Sequence, residues 1–281
     1  MNIVSEILDN SQTIKEITFI DSTIFKNEYL NKKKPVLIKG FAKNWRTTKH
    51  WDLDFLLKLK DDRDILLLSD NFIQNDNRYK QATFKNYIQQ LKDAELSGTP
   101  IKDYLTTLNL FEYYPHLKND VDFYFFDTHT KINDVGAWIG PANTISGFHA
   151  DTANNVYTQV KGRKMFIICS PEFNKTMYQS KKHVYGAVAS DVDINNFDIT
   201  KHPKFKDNIF EYVILEPGDV LFVPQNWWHY VQSLDLSISI SNFGYTKLEV
   251  FTLQLKERIM QSLHKRGYYK ANNCFCCEKS Q

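Results

Sequence analysis

Short apolar runs bounded by Gly, Pro and Asp recur through the second half of this chain, and they carry the two-residue period of strands. Ser237-Ile238-Ser239-Ile240-Ser241 alternates strictly, so one face is apolar and the other polar. Asn155 to Val160 reads as a strand, Lys161-Gly162 as a tight turn, and Arg163 to Cys169 as the strand that follows. Phe210 to Leu215 leads into Glu216-Pro217-Gly218-Asp219. There Pro then Gly fill the central positions of a type II turn, before a further strand at Val220 to Val223. Phe123 to Phe126 and Ala137 to Gly140 also read as strands. Many short strands joined by turns predict a barrel or sandwich.

The first half has a mixed pattern. Pro35 to Gly40 and Ile65 to Leu68 are strand-like, and Lys32 to Lys34 reads as a solvated face beside the first of them. Asp52 can cap a helix carrying Phe55, Leu56 and Leu59. Thr83 can cap another carrying Phe84, Tyr87, Ile88 and Leu91. Lys102 to Tyr113 predicts a third helix, stopped before Pro115. The fold class is therefore mainly β with α flanks. Residues 1–120 form an N-terminal α/β flank of the same domain, and 121–245 form a β core.

A C-terminal helix follows at 246–268, with a flexible tail at 269–281. The helix aligns Leu248, Phe251, Leu255, Ile259 and Leu263 in one stripe, widened by Val250, Leu253 and Met260. That stripe packs on the chain's own body by default, and its breadth also suits a homodimer. His264 reads as surface. The stretch from Pro171 to Lys206 is poor in apolar residues and reads as a long insertion between strands.

Composition narrows the class without naming a partner. A chain of 281 residues can bury a substantial core, and 14% aromatic content suits a β-rich globule. A net charge of +2 gives no strong nucleic-acid or anionic-membrane signal. Met1 to Asn10 lacks a signal pattern and no long apolar run is present, so the expectation is a soluble, cytoplasmic protein. Of four cysteines, Cys274, Cys276 and Cys277 crowd the tail and Cys169 lies in the body. That is no disulfide framework, and it fits a reducing compartment; the tail alone does not make a zinc site.

The candidate chemistry centres on Ser146-Gly147-Phe148-His149-Ala150-Asp151. Two residues spaced i, i+2 on a strand point the same way, so His149 and Asp151 can grip one ion. His229 follows the Pro-Gly turn, a strand, Pro224 and the Trp227-Trp228 pair, which places it at a strand end. Two imidazoles and a carboxylate with open positions form the ligand set of non-haem Fe(II) oxygenases. On spacing alone, paired structural histidines remain the alternative. His129, two residues after Asp127, is the rival ligand among the other histidines.

A longer ordered series carries a family resemblance. Trp138-Ile139-Gly140-Pro141, Thr144-Ile145-Ser146, His149-x-Asp151, Asn155, Gln159-Val160, Gly162 and Lys164 resemble a JmjC domain of the cupin superfamily. So do Tyr178, Ser190 to Asp193, Pro203 to Phe205, Pro217 to Asp219, Pro224, Trp228-His229 and Ser239-x-Ser241-x-Phe243. The early Pro35 to Gly40 with Trp45 and Trp51 agrees, and the likeness covers roughly residues 30–245. The branch it resembles holds protein hydroxylases such as factor inhibiting HIF and the JmjC arginyl and lysyl hydroxylases.

The resemblance implies a double-stranded β-helix, that is, a jelly-roll or cupin barrel. It implies Fe(II) on His149, Asp151 and His229, with 2-oxoglutarate as cosubstrate and O2 as oxidant. Lys164 matches the lysine that pairs with the distal carboxylate of 2-oxoglutarate, and Tyr104 and Ser146 match hydroxyls donating to it. Asn155 matches an amide near the metal-binding end. Trp138 matches a pocket wall shared with the flank before it and the 171–206 insertion. Asn242 resembles an asparagine after the last barrel strand.

Bland readings stand beside these: Lys164 as a turn residue, Tyr104 as a helix-face aromatic, Ser146 and Asn155 as backbone caps, and Trp227 and Trp228 as barrel-end packing. The implied reaction is hydroxylation of a protein or peptide side chain, releasing succinate and CO2. The alternatives are a small-molecule or modified tRNA nucleoside hydroxylase, an N-methyl-lysine demethylase, and a non-catalytic metal-binding interaction protein.

Overall fold

The computed structural model describes residues 3–60, 62–69, 79–182 and 186–270. Its strands, in chain order, are β1 (Gln12–Thr13), β2 (Glu16–Ile17), β3 (Val36–Ile38), β4 (Asp64–Ser69), β5 (Lys80–Thr83) and β6 (Asp103–Leu108). There follow β7 (Ile132–Gly140), β8 (Ile145–Asp151), β9 (Asn154–Lys161), β10 (Lys164–Cys169) and β11 (Ala187–Ala189). The last are β12 (Phe210–Leu215), β13 (Val220–Val223), β14 (Trp228–Ser233) and β15 (Ser237–Tyr245). They form a six-stranded sheet, β1-β12-β10-β14-β8-β11, and a nine-stranded sheet, β2-β3-β13-β9-β15-β7-β6-β4-β5. From β7 to β10, and again from β12 to β15, successive strands alternate between the sheets. That is the winding of a jelly roll.

Three apolar clusters hold the layers. Between the sheets, Leu37, Tyr157, Leu221 and Val223 meet Phe166, Ile168, Leu215 and Val231. The outer face of the larger sheet is covered by the N-terminal flank. Its helix Phe84–Ser97 is capped by the Thr83 side chain and buries Phe84, Tyr87, Ile88 and Leu91. Asp52 caps Leu53–Leu57 through the Phe55 amide at 2.7 Å. The outer face of the smaller sheet carries Phe148, Met165, Ile167, Trp228 and Tyr230, covered by Ile3, Ile7, Phe205 and Phe210.

Several local expectations are corrected. Lys102 to Tyr113 is not one helix: Asp103–Leu108 is strand β6 between β4 and β7, and only Leu110–Tyr113 is helical, capped by Asn109. The sheet edge offers β6 backbone partners and buries Tyr104 and Leu105 on opposite faces. Phe123 to Phe126 does not form a strand either, since Tyr124–Asp127 is helical. Phe125 and Phe126 lie edge-on to Phe25 at 5.0 and 6.0 Å, and Phe25 to Phe222 at 4.8 Å, so aromatic packing overrides strand propensity.

The described residues of the 171–206 insertion are held by a few apolar anchors. Met177, Val192, Ile194 and Phe205 are buried against the outer face of the smaller sheet, so they line no part of the barrel interior. β11 pairs with His149 to Asp151 on the metal strand, and the Ser190 amide donates to the Phe148 carbonyl beside it at 2.8 Å. The apolar stripe of the C-terminal helix is exposed instead of packed, whereas His264 is buried, its Nδ1 2.7 Å from the Tyr269 carbonyl. Cys274, Cys276, Cys277 and His183 lie outside the described residues. No helix among the described residues is long and apolar enough to cross a membrane.

Asp219 ties the barrel to the flank. Gly218 adopts φ +93°, the left-handed conformation the turn requires. The buried Asp219 carboxylate accepts from Lys39 Nζ at 2.7 Å, the Gly40 amide at 2.9 Å and the Glu216 amide at 2.9 Å. Asp219→Ala leaves these donors unpaired and is expected to destabilise the fold by about 2–4 kcal/mol. The measurement is a lower urea midpoint at unchanged m value.

Candidate metal and cosubstrate site

His149 and His229 face each other across the β8–β14 ladder in direct register. Their ring centroids are 4.1 Å apart. Asp151 lies two residues on from His149, with Oδ2 3.4 Å from His229 Nε2 and Oδ1 4.0 Å from His149 Nε2. The three ligand atoms all lie within 4.8 Å of one another. Each ring is held by its other nitrogen: His149 Nδ1 donates to the Gly147 carbonyl at 2.7 Å, and His229 Nδ1 to the Trp227 carbonyl at 3.0 Å. That fixes the tautomer with both Nε2 lone pairs turned to the shared centre.

The electrostatics favour the metal-binding forms. Burial, and then the neighbouring His229 ring, drop the His149 pKa from 6.5 to about 4, so its imidazole is neutral at pH 7. Burial works against ionised Asp151, yet its contacts with His229 and then His149 hold its pKa below the usual carboxylate value. His129 takes no part. Its Nε2 lies 2.8 Å from both Ser22 Oγ and the Ser22 carbonyl, beside Phe25.

Simple alternation would turn Ser146 away from His149, three residues later. Between the pairs His229–His149 and Val231–Ser146 the register shifts, so Gly147 and Phe148 together oppose Tyr230. This β-bulge swings Ser146 back to the barrel side, where Val231 belongs to the inter-sheet core.

Lys164 occupies the other end of the interior. It starts β10 opposite Ser233, four residues along β14 from His229, about 13 Å away along the strand. Lys164 is fully buried, and Nζ donates to Tyr104 Oη at 2.9 Å. No carboxylate pairs with it among the described residues. Burial drops its pKa from 10.5 to about 7, and burial also raises that of the Tyr104 phenol. Tyr104 comes from strand β6, not from a helix, and lies 6.1 Å ring to ring from Trp138.

Trp138 Nε1, Asn155 Oδ1 and Ser241 Oγ are buried on this interior without hydrogen-bond partners. Buried polar groups are rarely left so, and these await a polar ligand. A buried cation with no anion, unpaired polar atoms and a two-imidazole, one-carboxylate centre fit Fe(II) with a small dicarboxylate.

Two contributors, Gly140 and Ser241, stood in the family resemblance without a role. Gly140 lies under the Tyr104 ring, and a Cβ there would meet Tyr104 Cδ2 at 2.5 Å. Ser241 lies on the polar side of its alternating strand, its Oγ buried without a hydrogen-bond partner. Asn242 lies on the opposite face, with Nδ2 2.9 Å from Asp127 Oδ1, and is no part of the interior.

The Lys164 environment predicts a pH effect. Between pH 7 and 10.5 the unfolded chain holds a proton that the native lysine lacks, so native stability rises with pH across that window. At or below pH 7 the native state bears the whole cost of a buried charge. Lys164→Met is therefore expected to stabilise the ligand-free protein at pH 6 by roughly 3–5 kcal/mol, less about 1 for the lost bond to Tyr104. The gain shrinks steadily toward pH 10. Thermal midpoints of both proteins at pH 6 and pH 9.5 check the sign.

Comparison with known proteins places this geometry. Residues 21–247 match the family described as Cupin-like domain. Over 226 residues the chain is 33% identical to Lysine-specific demethylase 8 of Danio rerio, covering 77% of this chain and 54% of that protein. Over 257 residues it is 30% identical to JmjC domain-containing protein D of Dictyostelium discoideum, covering 83% and 57%. Over 222 residues it is 30% identical to Lysine-specific demethylase JMJ30 of Arabidopsis thaliana, covering 77% and 51%. The chain spans about half the length of these relatives. Because the matched span reaches from before β3 to just past β15 and so takes in the whole barrel, the chain belongs to the Cupin-like domain family, beside relatives named for their JmjC domains.

Proposed function

We propose that this chain is an Fe(II)- and 2-oxoglutarate-dependent oxygenase that hydroxylates a side chain of a protein or peptide. The observation that carries this reading is one barrel interior holding an open three-ligand centre at one end and, at the other, a buried lysine with no carboxylate partner among the described residues. His149 and His229 would hold the metal through Nε2, and Asp151 through its carboxylate. Lys164 and Tyr104 would take the distal carboxylate of 2-oxoglutarate, with Ser146 adding a hydroxyl. Asn155 would meet the cosubstrate near the metal, and Trp138 would wall the pocket. Iron with 2-oxoglutarate and O2 supplies the oxidation of a C–H bond, with succinate and CO2 as coproducts.

The chain's own work is to exclude water, orient and hold charge. Apolar packing between the sheets, with the Tyr157 ring 5.6 Å from Lys164 Nζ, would keep the lysine–carboxylate contact dry, where it is strongest. The two carbonyl-tied imidazoles keep their lone pairs aimed at one point without rearrangement. Demethylation of N-methyl-lysine is the second reading, supported by the names of two of the relatives above. Both share the hydroxylation step; on an N-methyl carbon the product loses formaldehyde, and on another carbon the oxygen stays.

Succinate release in the presence of Fe(II), 2-oxoglutarate and ascorbate tests the reading. Asp151→Ala is expected to lower it by about 100-fold or more. Lys164→Met is expected to raise the KM for 2-oxoglutarate by roughly 10- to 100-fold through loss of a charge-assisted bond. Full turnover by Asp151→Ala would sink the site assignment. Mass spectrometry of peptide products separates the two readings: one added oxygen marks hydroxylation, and loss of a methyl group marks demethylation.

A further inference from the structure

Tyr157 stands in the apolar core between the sheets, 4% exposed, yet its ring ends in a hydroxyl. The ring meets Phe166 edge-on at 4.8 Å. Its Oη is buried and has no hydrogen-bond partner among the described residues. A phenylalanine would make the same ring contacts without that penalty, because a buried donor left unmet loses its hydration for nothing. The packing of the core therefore gives no reason for the hydroxyl.

Its place in the barrel does. Tyr157 follows Asn155 by two residues on β9, so the two side chains share the interior face. Phe166, which it touches, pairs with Val231 on the opposite sheet. That pair lies between Ile168–His229 at the metal end and Lys164–Ser233 at the other. The Tyr157 ring thus sits between the metal centre and the buried lysine. Lys164 Nζ is 5.3 Å from the centre of the Tyr104 ring and 5.6 Å from that of Tyr157, so two phenols flank one amine. Ser241, whose hydroxyl also lacks a partner, lies in register with Tyr157 on β15.

The hydroxyl is held as a donor. Burial, and then the Tyr104 phenol, push the Tyr157 pKa well above its ordinary value, so the proton stays on. Ser239 is near enough to oppose that rise. Its own proton goes to Gln159 Oε1 at 2.9 Å, and its approach to Tyr157 Oη lacks hydrogen-bond geometry.

A carboxylate beside Lys164 has room for this donor. It offers about four lone-pair sites. Lys164, Tyr104 and Ser146 account for three, and one Lys164 N–H already goes to Tyr104. We propose, resting on the cosubstrate reading above, that Tyr157 is a further cosubstrate-binding residue whose Oη donates to the distal carboxylate of 2-oxoglutarate. The same hydroxyl makes the far end of the pocket selective. A 2-oxo acid ending in a methyl group would leave both the phenol and the lysine unmet in a dry core, which is how a buried polar site rejects an apolar analogue.

Calorimetric binding to the full chain loaded with Mn(II) is the test, since Mn(II) in place of iron keeps turnover out of the readout. The probes are 2-oxoglutarate and oxalate, which chelates the metal but has no distal carboxylate. Tyr157→Phe is expected to raise the Kd for 2-oxoglutarate by about 10-fold and to leave that for oxalate unchanged. The thermal midpoint of the ligand-free variant is expected at or above that of wild type, because the substitution removes an unmet donor and keeps the ring. Unchanged affinity for 2-oxoglutarate, an equal loss for oxalate, or a ligand-free midpoint well below wild type would each overturn the inference and leave the cosubstrate reading standing. Wild type that binds oxalate but not 2-oxoglutarate would overturn the cosubstrate reading, and this inference with it.

Discussion

Two imidazoles, a carboxylate and a lysine amine are held inside one narrow barrel, and the rest of the structure answers that constraint. Each such group loses hydration on folding, and none here is repaid by an apolar contact. The stabilisation comes from outside the site. The N-terminal flank buries the outer face of the larger sheet, and the insertion with Ile3 and Ile7 buries that of the smaller one. The apolar core between the sheets is limited to one cluster around Phe166 and Tyr157, which leaves the remaining interior polar. The flank and insertion are therefore the counterweight that lets a destabilised centre exist.

Much of the barrel was legible because strand periodicity is local. The alternation of Ser237 to Ser241 separates two faces, and the structure turns the serines to the barrel interior and the isoleucines to the flank. The Pro217-Gly218 turn marks where one sheet hands over to the other, and the spacing of His149 and Asp151 puts them on one side. Tyr104 was misplaced on a helix because Tyr104, Leu105, Leu108 and Phe111 also satisfy helical spacing. The decision rests with β4 and β7, which lie far off in sequence and offer hydrogen bonds to both edges of β6. The aromatic run at 123–126 failed for a similar reason: Phe25 and Phe222, not the run itself, set its conformation.

The side on which Ser146 falls could not be read from periodicity at all, because a bulge changes the parity of β8 between Gly147 and Phe148. Likewise the insertion has little apolar content on average, but its order depends on a few anchors such as Met177 and Phe205 at the right places. The C-terminal stripe is the converse case. Its amphipathic pattern was plain, and the fold shows that the chain's own body does not use it.

The Asp219 knot has a consequence for how the chain acquires its shape. Lys39 and Gly40 are made early, and their carboxylate partner arrives 180 and 179 residues later. The smaller sheet likewise waits for β14, and with it the second imidazole. Contacts of such sequence separation make folding slow and leave little to be gained from partial synthesis. The flank must emerge from the ribosome with its sheet face uncovered and stay so until the last barrel strands appear. For most of its synthesis this chain is a nascent protein with an exposed apolar surface, of the kind that molecular chaperones exist to shield.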